Sequence, residues 1–321
     1  MQKIHWGVLG CATIAEQRFI PSIMEANNAV LCALATRGGS ERLSRIQTKY
    51  PIPRIYYSYD ELLGDPNIDA VYIPLPNGQH VDWTVKAAIA KKHVLCEKPM
   101  ALSPAGIDAI AAAGRQNGVQ TMEAFACMHS PLYPSIREWI ANGEIGELRT
   151  VSAVFCYLLE ETAGNINASR ELAGGSINDV GCYNMLTIRQ ITQREPQSII
   201  AKANFLPTGV DSHVDAILDM GDGVLCFSMC SIETAPQRSL SILGTHGYIA
   251  FDRTPNAWGL LNVTLNNAKG NRVIQLDASN NYTSEIEQFG RCILDGEPPK
   301  VTLGESRLNA RALEMLHAAI R

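Results

Sequence analysis

Ile4-His5-Trp6-Gly7-Val8-Leu9-Gly10-Cys11-Ala12-Thr13-Ile14-Ala15 is the run that decides the fold. Its first six residues, Ile4–Leu9, are largely apolar and read as a buried strand, and Glu16–Glu25 after the turn reads as a helix. Gly10, Ala12 and Ala15 fill the three small positions of a dinucleotide-binding turn. Glycine there supplies the dihedrals of the turn, and small side chains leave room for a pyrophosphate at the positive end of the helix. Only the first of the three is glycine, so the run also reads as a strand–helix junction without a ligand. Its place on the first strand of a β-α-β unit favours the nucleotide.

Strand and helix patterns alternate from there to residue 125. Val30–Thr36, Arg54–Tyr57, Ala70–Leu75, His93–Cys96 and Gln120–Phe125 read as strands. Ser40–Lys49, with Ser40 as its N-cap, Tyr59–Leu63, His80–Lys92 and Pro104–Asn117 read as the helical segments between them. Such alternation implies a parallel sheet covered on both faces. Beyond that point the pattern changes. Pro134–Asn142 and Asn178–Ile191 look helical, whereas Leu148–Leu159, Ser198–Phe205, Val214–Asp219, Gly223–Cys230, Ser239–Leu243 and Tyr248–Phe251 are β-type runs joined by turns. Thr283–Leu294 and Gly304–Ile320 return to helix. The expected fold class is α/β: a Rossmann dinucleotide-binding domain over residues 1–125, then an α+β domain over 126–321 with a large open, mainly antiparallel sheet.

At 321 residues, 46% apolar and 18% charged, the chain can bury two cores. Net charge is −5 with no basic stripe, so no nucleic-acid partner is expected. Apolar runs are too short for a bilayer and no signal-peptide pattern opens the sequence; neither membrane nor export is expected, and the compartment reads as cytoplasmic. Nine cysteines stand at 11, 32, 96, 127, 156, 182, 226, 230 and 292 without a Cys-x-x-Cys pair, which argues against a disulfide framework or a metal. Cys226 and Cys230 share one face of a strand-like run and read as buried free thiols.

Three further places carry chemistry. The second strand ends Ala35-Thr36-Arg37, with Arg42 five residues on and no acid at its tip. NAD enzymes place a carboxylate there for the ribose hydroxyls, whereas a guanidinium suits the dianionic 2′-phosphate of NADP. Next, Asn77 follows two prolines at the carboxyl edge of a buried strand, and the next strand ends Cys96-Glu97-Lys98-Pro99. Charges are rarely put at the tip of an apolar strand without a partner. Finally, Asp179 and Tyr183 are four apart at the start of a helix that opens after Gly174-Gly175, so an acceptor and a donor project from one face, as a vicinal diol or hydroxyketone requires.

Together these residues resemble the Gfo/Idh/MocA oxidoreductase family: the small-residue first turn, Glu97-Lys98-Pro99, and Asp179-Val180-Gly181-Cys182-Tyr183, in family order over essentially the whole chain. The likeness is greatest to the branch containing dihydrodiol dehydrogenases, NADP-dependent xylose dehydrogenases and glucose–fructose oxidoreductase. It implies that Gly10, Ala12, Ile14, Thr36, Arg37, Leu75, Asn77, His80, Glu97 and Lys98 line NADP(H), with Thr13 and Arg42 beside them. Lys98, Asp179 and Tyr183 surround the reacting carbon in that reading. It also implies a cis peptide before Pro99, a final helix at about 304–320 packing back on the first domain, and a homodimer or homotetramer formed through the second sheet. Met128 and Asn167 stand where many relatives carry arginine, so phosphorylated sugars are expected to be poor substrates.

The expected reaction is reversible hydride transfer between nicotinamide and a CH–OH or C=O carbon of a small sugar-, polyol- or diol-like molecule. Tyr183 relays the proton with Lys98 as its cationic neighbour, or Lys98 is itself the acid–base group. Two rivals share the scaffold: an NAD-dependent glycosidase, against which Arg37 argues, and a non-catalytic NADP-sensing regulator, which has no need of Lys98 or Tyr183.

Overall fold

A computed structural model describes residues 2–39, 41–253 and 256–320; Ser40, the expected N-cap, lies outside the described residues. The chain divides into two compact units, Met1–His129 with Asn280–Arg307, and Ser130–Ser279 with Leu308–Arg321.

In the first unit, β1 (Ile4–Leu9), β2 (Ala29–Ala35), β3 (Arg54–Tyr56), β4 (Ala70–Ile73), β5 (His93–Glu97) and β6 (Thr121–Ala124) form a parallel sheet in the order β3-β2-β1-β4-β5-β6. The order reverses between β1 and β4, which opens a crevice at the carboxyl edge where nucleotides bind in such sheets. Every residue of β4 is buried, and Pro74, which has no N–H to donate, ends it two residues before the expected Leu75. Between the strands run α1 (Ile20–Glu25), α2 (Glu41–Lys49), α3 (Tyr59–Gly64), α4 (His80–Ile89) and α5 (Pro104–Asn117). The bounds of α5 match the sequence reading, because Ser103 accepts a hydrogen bond from Gly106 N at the start, Pro104 opens the first turn, and Gly118 closes the helix. The helix expected over Glu16–Glu25 opens instead with a π turn, Ala15–Phe19. That turn delivers Phe19 to the core, where its ring lies 5.6 Å from Trp6 and stacks on Tyr72 at 3.8 Å between centroids.

In the second unit, α6 (Leu132–Ala141) and α7 (Cys182–Thr192) accompany an eight-stranded sheet. Its strands are β7 (Leu148–Leu158), β8 (Ser198–Phe205), β9 (Asp211–Asp219), β10 (Leu225–Ser231), β11 (Glu233–Gly244), β12 (Gly247–Phe251), β13 (Gly259–Asn267) and β14 (Gly270–Ala278), in the order β14-β13-β12-β11-β7-β10-β9-β8. β7 and β10 pair in parallel and the other neighbours are antiparallel. β11 begins at Glu233, six residues before the expected start, and its polar first half joins β7 across an irregular register. The hairpin β13–β14 is absent from the expected strands. α7 is buried throughout and covers one face of the sheet, where Asn184 Nδ2 meets Ser228 Oγ at 3.2 Å. On the other face the register sets Ile200 beside Ile217, and Ile217 beside Phe227, all three exposed.

α8 (Asn281–Leu294) belongs to the first unit and α9 (Leu303–Ala319) closes the chain. Phe289 of α8 packs 5.7 Å from Trp6, and Asn28 Nδ2 donates to Glu287 O at 2.8 Å. All nine cysteines are free thiols, and burial pushes the Cys226 thiol up to about 11. Among the described residues no helix is long and apolar enough to cross a membrane, and no cluster of His, Cys, Asp or Glu is placed to hold a metal ion.

Candidate active site

β1 passes into the helix through Gly10, whose φ of +111° is a conformation that L side chains rarely adopt. Gly10 N donates to Ala35 O at 2.8 Å, tying the turn to the end of β2. A Cβ at this position would stand 3.1 Å from Leu75 Cδ2, so glycine keeps the cradle open. Ala12 O accepts from Glu16 N, and Thr13 and Ile14 lie on the first helical turn.

At the tip of β2, Thr36 Oγ1 donates to Gly38 O at 2.9 Å. The Arg37 guanidinium lies 5.7 Å from the centroid of Tyr59, a ring seated edge-on against Trp83. Arg42 Nη1 donates to Cys11 O at 2.9 Å, which brings this cation onto the Gly10–Ala12 turn. Arg42 Nε is buried without a hydrogen bond among the described residues, 3.6 Å from the Glu16 carboxylate. An open cradle, two guanidiniums and a buried donor left over fit a dinucleotide with a 2′-phosphate.

At the carboxyl ends of β4 and β5, Leu75 is buried and Asn77 opens a short 3₁₀ turn leading into His80. His80 is buried with Nε2 2.7 Å from Leu75 O and Nδ1 2.8 Å from Pro99 O. Burial pushes its imidazole below the ordinary value, the two carbonyls pull it up, and the charge of Lys98 pushes it down again. A neutral imidazole donates through only one nitrogen. While neutral, His80 can therefore donate to only one of the two carbonyls, Leu75 O or Pro99 O, between which its ring sits. The Lys98–Pro99 peptide is cis, as the resemblance implies.

Glu97 is buried beneath Lys98; its Oε1 accepts from Tyr72 Oη at 2.5 Å and its Oε2 from Lys98 N at 3.2 Å. Behind it α8 contributes buried Glu285 and half-buried Tyr282. Burial and the Glu97 charge push the Glu285 carboxyl well above the carboxylate range and raise the Tyr282 phenol as well. Sequence reading missed Tyr72, Tyr282 and Glu285. The last two stand three apart on a helix, beside the apolar Ile286 and Phe289, which was the available signal.

In the second unit, the helix expected from Asn178 opens with a π turn, Ile177–Gly181, that carries Asp179, and α7 carries Tyr183. Buried Asp211 caps this start, accepting Ser176 Oγ and Ile177 N, each at 2.7 Å. Asp179 Oδ2 accepts from Tyr157 Oη at 2.5 Å and from Asn167 Nδ2 at 3.0 Å. The Tyr183 ring packs 5.8 Å from Phe155, over which Arg238 places its guanidinium at 5.3 Å. Tyr157, Phe155 and Arg238 were not among the predicted residues. Arg170, three residues beyond Asn167, sets Nη1 3.6 Å from where a Gly209 Cβ would stand, against the turn between β8 and β9. Met128 is half-buried in a 3₁₀ turn of the first unit.

The first unit thus offers a nucleotide cradle and a lysine beside it, and the second a phenol and a carboxylate: parts for binding a dinucleotide and for moving a proton at a substrate oxygen. Residues 4–125 match the oxidoreductase family with an NAD-binding Rossmann fold, and residues 133–250 match the GFO/IDH/MocA C-terminal domain. The chain is 32% identical over 314 residues to D-xylose 1-dehydrogenase (NADP(+)) 2 of Haloferax volcanii, covering 97% of this chain and 96% of the relative. It is 29% identical to the trans-1,2-dihydrobenzene-1,2-diol dehydrogenase of Sus scrofa, covering 99% and 97% of the two chains. Among solved structures, a 3-ketoreductase from Actinomadura kijaniata in complex with NADP and TDP-benzene superposes with a TM-score of 0.92 at 25% identity, covering 100% of this chain and 98% of its own. On both its nucleotide-binding and its C-terminal parts, this chain belongs to the Gfo/Idh/MocA family of oxidoreductases.

Proposed function

We propose that the chain is an NADP(H)-dependent dehydrogenase or reductase acting on a CH–OH or C=O carbon of a small sugar-, polyol- or diol-like substrate. The observation that carries the cofactor half is the basic tip of β2: Thr36 and Arg37 in place of an acid, with Arg42 bonded to the Gly10 turn. Relatives named for NADP-dependent xylose oxidation and diol oxidation support the substrate class.

In this reading residues 1–125 carry the nucleotide site, and the substrate-binding residues beyond 125 lie in the second unit. Gly10, Ala12, Thr13 and Ile14 admit the pyrophosphate, Thr36, Arg37 and Arg42 hold the 2′-phosphate, and Leu75, Asn77, His80, Glu97 and Lys98 border the nicotinamide side. Bound nicotinamide supplies or accepts the hydride. Tyr183 and Lys98 hold the proton exchanged with the substrate oxygen, and Asp179 accepts a neighbouring substrate hydroxyl. Copies associate through the exposed Ile200–Ile217–Phe227 face of the second sheet, and nine free thiols suit a reducing cytoplasm.

The test is a screen of NADPH consumption, and of NADP⁺ reduction, over dicarbonyls, ketoses, aldoses, a phosphosugar and vicinal diols. Turnover of a small diol, aldose or dicarbonyl with NADP(H) preferred over NAD(H) is expected. Equal kcat/KM with the two cofactors, or the phosphosugar coming out best, would refute the assignment as written.

A further inference from the structure

Three polar side chains from three elements of the second unit close a triangle. Tyr157, near the end of β7, donates its phenol proton to Asp179 Oδ2 at 2.5 Å. Asn167, on the 3₁₀ turn Ile166–Ala168, directs Nδ2 to the Tyr157 oxygen at 2.9 Å and to Asp179 Oδ2 at 3.0 Å. One carboxylate oxygen thus takes two hydrogen bonds, and the O–H···O distance is that of a charge-assisted bond.

The triangle is built rather than incidental. Asn167 is fixed through its own backbone: its N–H donates to Asn165 Oδ1 at 2.9 Å, and its carbonyl accepts from Gly175 N at 2.8 Å. Gly174 permits that approach, since a Cβ there would stand 2.4 Å from Asn167 O. Burial and the Asp179 charge push the Tyr157 phenol well above its ordinary value, so it remains a donor at every working pH. A purely structural brace has no need to converge on a carboxylate that is itself half-exposed and one helical turn from Tyr183.

We propose that Tyr157 and Asn167 are positioning residues that fix the orientation of the Asp179 carboxylate, and that this fixed carboxylate reads a hydroxyl next to the reacting carbon of the substrate. The inference rests on the reading of Asp179 as the substrate-hydroxyl acceptor. It also gives Asn167 a purpose of its own: the residue acts on Asp179 and is not a shortened substitute for a substrate-binding cation.

The test uses the full-length protein loaded with NADP⁺ or NADPH, with trans-cyclohexane-1,2-diol and D-xylose as probes. Tyr157→Phe, Asn167→Ala, Asp179→Asn and the double variant Y157F/D179N are compared by kcat, KM and calorimetric Kd, with NADPH affinity and Tm as folding controls. A hydrogen bond to a charged group is worth about ten- to a hundredfold in a binding constant. Y157F and N167A should each raise KM and Kd for the diol by about that factor, while kcat falls less than about threefold and NADPH affinity holds. Y157F/D179N should bind no more weakly than D179N alone, because both changes remove one function. Diol binding that matches the unmodified protein in both Y157F and N167A, with only Tm lowered, would reduce the triangle to a brace and overturn the inference. Losses that multiply in the double variant would overturn it too. If D179N alone leaves diol binding intact, the reading of Asp179 fails and this inference fails with it; if D179N weakens binding and the other two do not, only this inference fails.

Discussion

Arg37 and Lys98 are the residues on which the proposal is most exposed to test. Arg37→Ala should erase most of the preference for NADP(H), a loss of about ten- to a hundredfold in relative kcat/KM, since a charge-assisted contact is worth about 1.5–3 kcal/mol. Lys98→Ala should fold and bind NADPH yet lose turnover by about 10²–10⁴, the range for a positioned proton-transfer group. Tyr183→Phe should lower kcat more than it raises KM if the phenol relays the proton, and a pure KM effect would make it a binding group. A third residue ties the site to stability. Glu285 keeps its proton in the folded protein because burial and Glu97 hold its carboxyl above the ordinary 4.5, whereas the unfolded chain releases that proton near the ordinary value. Above about 4.5 the unfolded state therefore binds fewer protons than the native one, and stability falls as pH rises toward the folded-state value. Glu285→Gln should raise Tm at pH 8, with a gain that shrinks toward pH 4.5; a gain independent of pH would show that Glu285 does not titrate in this way. The sequence displayed Arg37, Lys98, Asp179 and Tyr183 because each stands beside a turn signal or a strand end. Tyr72 and Tyr157 sit inside apolar runs and Glu285 among other polar helix residues, where only tertiary neighbours distinguish a polar group with work to do from a tolerated one.

Among the elements, the two π turns are what periodicity could not reveal. Ala15–Phe19 and Ile177–Gly181 both precede α-helices, and both lie beside proposed binding residues; the hydrophobic spacing on either side fits an ordinary helix well enough to hide them. π turns recur at functional sites, where they re-aim side chains. The second turn depends on Gly175, whose φ is +105° and whose Cβ would stand 2.4 Å from Oδ1 of Asp211, the carboxylate whose Oδ2 caps the turn. Gly175→Ala should cost about 1–3 kcal/mol, the usual range for backbone strain at such a position. Chemical denaturation would measure it, and an unchanged midpoint would mean that the cap can relax. The parallel strands were legible to within about two residues, because burial writes the central ones as short, mainly apolar runs. The β13–β14 hairpin was not: β14 is an edge strand, mostly exposed, and Gly270–Ala278 alternates polar and apolar residues too weakly to stand out.

For the molecule as a whole, the open face of the second sheet bears on assembly. Ile200, Ile217 and Phe227 are 73%, 44% and 44% exposed on adjoining strands, a surface that monomeric proteins seldom leave bare. Sedimentation should find a dimer or tetramer, and Ile217→Lys with Phe227→Glu should drive it toward monomer while NADPH binding holds; a monomeric unmodified protein would remove the proposed interface. The division of the chain into units has a different kind of consequence. Trp6 finds one of its ring neighbours in Phe289, and Asn28 finds its acceptor in Glu287, so the first unit is completed by Asn280–Arg307. At about 5–20 residues per second, a ribosome that has finished His129 needs roughly 10–35 s more to reach Arg307. Throughout that interval the N-terminal sheet waits with an uncovered aromatic flank, in the care of whatever chaperones attend the nascent chain.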